Sequence, residues 1–142
     1  HNVYLSKQSL DILIAFKSCF GASSYLHPGR YETKLPISAA TLNRVIDATV
    51  KLIRDQGEDF EPFTVHDLRR TASTVLHEVG FNSDWIEKCL AHEQRGVRAI
   101  YNKAEYAEQR RTMLQTWADM LDGWIQNGGN VVPIRHQAIA FA

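Results

Sequence analysis

Phe63-Thr64-Val65-His66-Asp67-Leu68-Arg69-Arg70-Thr71-Ala72 is the stretch on which the reading of the fold turns. With Thr64 as a cap and Phe63 placed to staple back onto the first turns, the spacing predicts a helix over about 64–79. It stops at Gly80, a residue that takes the left-handed conformation freely. At about 100° per residue, Val65, Leu68, Ala72, Val75, Leu76 and Val79 fall in one stripe roughly 100° wide. Arg69 sits at the edge of that stripe, Arg70 points away from it, and His66 neighbours Arg69 on the same flank. An arginine beside a buried stripe needs an anion, because an unpaired buried charge is costly. The partner is either a nearby carboxylate or a phosphate, which the planar guanidinium fork matches. His66 taken alone reads as a packed or surface histidine.

Upstream, Val3 and Leu5 share one side with period two and predict a single strand over 1–6, a strand that cannot satisfy its own ladder. Ser6 caps a helix over about 7–20, with Leu10, Ile12, Leu13 and Phe16 or Phe20 as its apolar face. Residues 21–37, rich in Gly, Ser and Pro, read as a loop. Ser38 opens a second helix with Leu42, Val45, Ile46, Val50 and Ile53 at helical spacing, and Gly57 and Pro62 bound the next connection. Downstream, Asn82 or Ser83 caps a short helix carrying Trp85, Ile86 and Leu90. A turn around Gly96 leads to a helical piece over about 97–103. The last helix, about 106–126, gathers Tyr106, Met113, Trp117, Met120, Leu121 and Trp124 on one face, which makes Tyr106 a core or interface aromatic. It stops at Asn127-Gly128-Gly129. The three tryptophans read as core, and His77, on a polar flank, as a surface residue. The expected fold class is mainly α, with one residual strand at the N-terminus.

The chain has 142 residues, 16 Lys+Arg against 16 Asp+Glu, 44% hydrophobic and 23% charged residues. These values suit one globular domain or part of one, and exclude a disordered, coiled-coil, collagenous or disulfide-built chain. No apolar run approaches the roughly 20 residues of a membrane span. No basic segment followed by an apolar stretch reads as a secretory signal. The expectation is a cytoplasmic domain without membrane contact, in which Cys19 and Cys89 are buried free thiols. A neutral balance excludes a polybasic binder but leaves room for a local nucleic-acid patch. No ligand spacing joins His66, His77, His92, Cys19 and Cys89, so no metal site is expected.

His66-Asp67-Leu68-Arg69 is followed by Leu90-Ala91-His92, and Tyr101 comes nine positions after His92. This order and spacing resemble the tyrosine recombinases, the lambda-integrase-like enzymes of phages and other mobile elements. They carry a His-x-x-Arg box, a Leu-Gly-His-like box and a nucleophilic tyrosine nine residues on. Residues 63–72 and Ile100-Tyr101-Asn102-Lys103-Ala104-Glu105-Tyr106 look especially like prophage and genomic-island integrases. The opening residues 1–8 resemble the last strand of that family's small sheet. Each box alone is common; the three in order are specific. Ala91 stands where the family usually has Gly, which is tolerated if the backbone does not require positive φ. The family's first catalytic Arg and its β-hairpin Lys precede the strand that opens this chain, which begins at His1 without an initiator Met.

The resemblance implies a helical, C-terminal part of the recombinase catalytic domain over 1–126 and a tail over 127–142. Val131, Val132, Ile134, Ile139 and Phe141 of that tail either pack in cis or in trans, or belong to a frayed end. It implies site-specific DNA recombination through a 3′-phosphotyrosyl intermediate, with no cofactor. Tyr101 becomes the nucleophile, Arg69 the holder of a non-bridging phosphate oxygen, His66 the proton-transfer residue and His92 a hydrogen-bond donor to the phosphate. Tyr106 is the rival nucleophile. Arg70, Arg95, Arg98 and Lys103, with Lys88, are candidate phosphate contacts or simply solvated faces. The implied partners are double-stranded attachment sites, sister protomers in a synaptic tetramer, and a directionality factor or host DNA-bending protein. Residues 1–142 alone are expected to be inactive. A type IB topoisomerase-like enzyme and a non-catalytic DNA-binding regulatory module are the alternatives.

Overall fold

The structure of the chain, a computed structural model, describes residues 1–21, 23–29, 31–92 and 104–128. Five helices are formed there: α1 (Lys7–Phe20), α2 (Ala39–Asp55), α3 (Val65–Glu78), α4 (Ser83–Cys89) and α5 (Ala107–Gln126). The described residues divide into two compact units. One is built from His1–Ser9 and the residues from Ser73 onward, the other from Leu10–Ala72. The mainly α class is as the periodicity predicts. The helical piece expected over 97–103 and the tail from residue 129 lie outside the described residues.

In the first unit α4 lies against α5, and the core is Leu76 of α3, Ile86 of α4 and Met113 of α5. Phe81, Trp85, Cys89, Leu90 and Trp117 pack around it. Trp85 and Trp117 pack on the core as expected, while Trp124 is half-buried and meets Trp117 edge to face at 5.7 Å. Two chain reversals are built alike. After α3, Gly80 turns left-handed at φ +86°. Its N–H donates to the His77 carbonyl (3.0 Å) while Phe81 N–H donates to Leu76 (3.1 Å). This is the bonding of a Schellman stop, with Phe81 returning an apolar side chain to the core. The second reversal ends α4. Asn82 opens that helix by accepting from Asp84 N–H at 2.8 Å.

The expected strand over 1–6 is not formed. A strand needs a neighbour to take up its backbone groups, and among the described residues none pairs with this segment. It is held instead by side chains. Arg110 reaches the Asn2 carbonyl at 2.6 Å, and the Tyr4 ring lies 4.8 Å from the guanidinium carbons of Arg110 and Arg111. Ser6 caps α1 as predicted, accepting from Ser9 N–H at 3.2 Å. Gln115 accepts from Lys7 N–H, and Gln8 donates to Asp119 and Asp122.

In the second unit Ile46 and Val50 of α2 are buried, whereas Leu42 and Val45 are exposed. No residue of α1 is buried either; Leu10, Ile12, Phe16 and Phe20 all stand open. Amphipathic spacing says which face can be covered, not that anything covers it, and here only Leu13 of the predicted face is half-buried while the rest is exposed. Cys19 shares that exposure, against the expectation of a buried thiol, and Cys89 is half-buried. The loop over 21–37 contains one antiparallel bridge, Pro28 to Pro36, closed by Gly29 N–H to Leu35 O at 2.7 Å.

Candidate active site

His66 and Arg69 lie on the first turns of α3, in the second unit, and both are exposed. The turn beneath them is fixed reciprocally. Asp67 N–H donates to Thr64 Oγ1 (3.3 Å), while the Asp67 carboxylate accepts from Thr64 N–H (2.9 Å) and from its hydroxyl (2.8 Å). This is a capping box closed by Asp at the third helical position. The two Thr64 bonds hold the Asp67 carboxyl below the usual carboxylate range against a desolvation penalty, with lesser help from the Arg70 and His66 charges. A depressed carboxyl stabilises the fold above its unfolded-state pKa and loses that contribution as pH falls through its folded value. We therefore expect wild type to lose α3 stability on acidification, and Asp67→Asn to be weaker already at neutral pH with a flatter acid limb. Circular-dichroism melts from pH 7 to pH 2 read this directly.

The stripe predicted for α3 is only partly covered. Leu76 is buried and Ala72, Val75 and Val79 are half-buried, but Val65 is 37% and Leu68 54% exposed. Leu68 instead lines a groove of about 380 Å³ with Phe60, Pro62, Phe63 and Thr71. Asp59, Glu61 and Asp67 also line it, and three carboxylates repel a phosphate. Arg70 stands on the surface in an ion pair with Asp67 at 3.0 Å. Lys88, counted among the candidate phosphate contacts, is engaged with Glu105 at 3.1 Å. His77 is on the surface as expected, its Nδ1 at 2.7 Å from the Ser73 carbonyl.

His92 belongs to the first unit, at the second chain reversal. Its N–H donates to the Glu87 carbonyl (3.1 Å), Ala91 N–H donates to Lys88 (3.3 Å), and Nδ1 of the imidazole lies 2.6 Å from Glu87 Oε2. Ala91 has φ +52°. The condition under which Ala was expected to be harmless therefore fails: the backbone does require positive φ at this position. A non-glycine residue there is strained by about 1 kcal/mol or slightly more, partly offset because Gly loses more freedom on folding. Ala91→Gly is expected to stabilise the fold by about 0.5–1 kcal/mol. Urea titration of the two proteins measures it; an unchanged or lower midpoint contradicts the strain.

Arg95, Arg98, Tyr101 and Lys103 lie outside the described residues. The segment immediately after them is anchored. Tyr106 sits at the N-cap of α5 in the left-handed region (φ 50°, ψ 42°), half-buried, its ring 6.4 Å from Trp85. It is the packed aromatic that was expected, but it stands ahead of the helix rather than on it. Sequence reasoning missed Arg110, which is fully buried. The signal was present: Arg110 occupies the gap between Tyr106 and Met113 on the apolar register of the last helix. Glu87 was missed too, because a separation of five residues places nothing on a shared helical face until the chain reverses. Among the described residues, no group of three His, Cys, Asp or Glu could hold a metal ion. No described helix is long and apolar enough to cross a membrane.

The sequence profile of the phage integrase family matches residues 2–108, three quarters of the chain. The chain belongs to the phage integrase family. It is 37% identical over 132 residues to the prophage integrase IntZ of Escherichia coli K12, an alignment covering 92% of the chain and 30% of that relative. It is 38% identical over 122 residues to the prophage integrase IntA of the same strain (85% of the chain, 28% of the relative). It is 36% identical over 124 residues to the integrase of Shigella phage Sf6 (86% and 30%). The chain thus spans less than a third of the length of these relatives. No solved structure matches it significantly. The family match contains all three boxes, from His66-x-x-Arg69 through Leu90-Ala91-His92 to Tyr101.

Proposed function

We propose that the protein bearing this chain is a site-specific DNA recombinase of the prophage or genomic-island kind, acting through a 3′-phosphotyrosyl intermediate. The observation that carries this is the ordered set of boxes lying inside the family match, with relatives named as prophage and phage integrases. In this reading the Tyr101 phenol oxygen attacks the scissile phosphorus, the bond to the 5′ oxygen breaks, and the 5′ hydroxyl leaves. Tyrosine has a reference pKa of about 10, so its proton needs an acceptor at neutral pH. His66 supplies one. Arg69 holds a non-bridging oxygen and stabilises the charge gathered in the transition state, and His92 donates to the same phosphate. The family likeness assigns the acid for the leaving oxygen to a lysine upstream of residue 1. Religation runs the same steps backwards with a 5′ hydroxyl as attacker, so the bond energy is conserved and no ATP is consumed.

Arg70, Arg95, Arg98 and Lys103 would add phosphate contacts around the boxes, giving DNA affinity that falls with salt. Double-stranded attachment sites, a synaptic tetramer and a directionality or DNA-bending factor complete the proposed partners, in the cytoplasm where the DNA is. The test is a nicked suicide substrate carrying the attachment site, incubated with the full-length protein in chelator and without ATP. A covalent adduct whose phosphopeptide maps to Tyr101 supports the proposal. Absence of any adduct on a site the protein demonstrably binds overturns it in favour of a non-catalytic DNA-binding module.

A further inference from the structure

We infer that Glu87 is a positioning residue for His92, committing the Nδ1 nitrogen of the imidazole and leaving Nε2 as the nitrogen presented to the phosphate. This rests on the reading of His92 as a phosphate contact. The geometry is compact: the Glu87 carbonyl accepts from the His92 backbone N–H at 3.1 Å, and its carboxylate lies 2.6 Å from Nδ1 of the same residue. One residue therefore fixes both the backbone and the ring of His92. Only the left-handed turn at Ala91 makes this possible, since residues five apart on an uninterrupted helix do not face each other.

The Glu87 and His92 side chains are 40% and 53% exposed. A pair so open to solvent contributes little to stability. Its close geometry is therefore better explained by placement than by holding the fold together. A histidine with one nitrogen held by a carboxylate has the direction and chemical role of the other defined. With Nδ1–H on Glu87, the neutral ring offers Nε2 as an acceptor, and the doubly protonated ring offers Nε2–H as the donor the phosphate requires. The neighbouring Lys88 reaches Glu105 at 3.1 Å, four residues beyond Tyr101. The last turn of α4 thus holds His92 with one side chain and the chain after the nucleophile with the next.

The test compares Glu87→Ala and Glu87→Gln in the full-length protein. Single-turnover adduct formation at saturating DNA, DNA affinity, and the 15N resonances of His92 are measured for each. Glu87→Ala is expected to slow adduct formation about tenfold, the low end of what loss of an orienting partner costs a histidine ligand, with DNA affinity unchanged. The Gln variant, whose amide oxygen still accepts from Nδ1–H, is expected to restore the rate. In wild type the neutral ring should carry its proton on Nδ1; in Glu87→Ala it should move to Nε2, the form imidazole prefers in water. An unaffected Glu87→Ala, a Gln variant as slow as Ala, or an unprotonated Nδ1 in wild type overturns the inference. His92→Ala and Tyr101→Phe run alongside. A slow His92→Ala beside a normal Glu87→Ala sinks only this inference, whereas an adduct persisting in Tyr101→Phe removes the reading beneath it.

Discussion

Tyr101→Phe is expected to reduce the covalent protein–DNA adduct to background, and Tyr106→Phe to leave it standing. The two tyrosines are five residues apart, and either could be written as the nucleophile from residue type alone. The surroundings of Tyr106 argue for a structural role. It caps α5 in a left-handed conformation that is rare for a bulky side chain. Its carbonyl accepts the first α5 bond from Arg110 N–H at 2.9 Å, and its ring is half-buried toward Trp85. A nucleophile must reach a phosphorus at the protein surface, and a ring committed to a neighbouring tryptophan at a strained helix start is poorly suited to that. Phenylalanine keeps the ring and its packing, so Tyr106→Phe should fold and cleave. At position 101 the same change removes the only oxygen that could form the phosphotyrosine. An adduct lost with Tyr106→Phe and retained with Tyr101→Phe would keep the family and move the nucleophile.

How far the sequence could be read depended on whether a feature is local. The Thr64 cap, the Gly80 stop, the Asn82 cap and the Ser6 cap are decided by a few adjacent residues, and each is present as the spacing predicts. What failed needed knowledge of a second element. A period-two pattern over 1–6 does not reveal whether another strand will pair with it. The apolar faces of α1 and of the start of α3 are correct as faces, yet Leu10, Phe16 and Leu68 stay exposed. Ala91 is the more instructive miss. The Leu90-Ala91-His92 box was legible, but that the chain reverses there was not, because alanine gives no hint of positive φ. The same reversal hid the contact between Glu87 and His92. The candidate site was therefore legible only as an ordered set of residue types, while contacts such as that between Glu87 and His92 were not.

Arg110→Ala is expected to cost about 3–5 kcal/mol, the range for breaking a buried charged network and a large part of the 5–15 kcal/mol typical of a whole domain. The guanidinium has no exposed surface and spends its donors on three parts of the chain. It reaches the Asn2 carbonyl at 2.6 Å, the Glu105 carbonyl at 3.2 Å and the Cys89 sulfur at 3.4 Å, with the Glu105 carboxylate at 3.5 Å. The Tyr4 ring covers it at 4.8 Å. Alanine leaves a void there and deprives two carbonyls of their donors. Arg110→Met separates the two losses. Methionine refills most of the volume, and Glu105 keeps Lys88 as a counter-charge, so no carboxylate is left alone. The cost should then fall toward that of the missing hydrogen bonds, about 1–3 kcal/mol. Lysine retains the charge but, as a compact ammonium, cannot span Asn2, Cys89 and Glu105 together. Urea denaturation orders the variants, and hydrogen exchange locates the damage, which should concentrate in residues 1–6 and 104–106. If Arg110→Met equals wild type and residues 1–6 stay protected, the guanidinium is only filling space, and the N-terminal segment is held by Tyr4 and the cap of α1 instead.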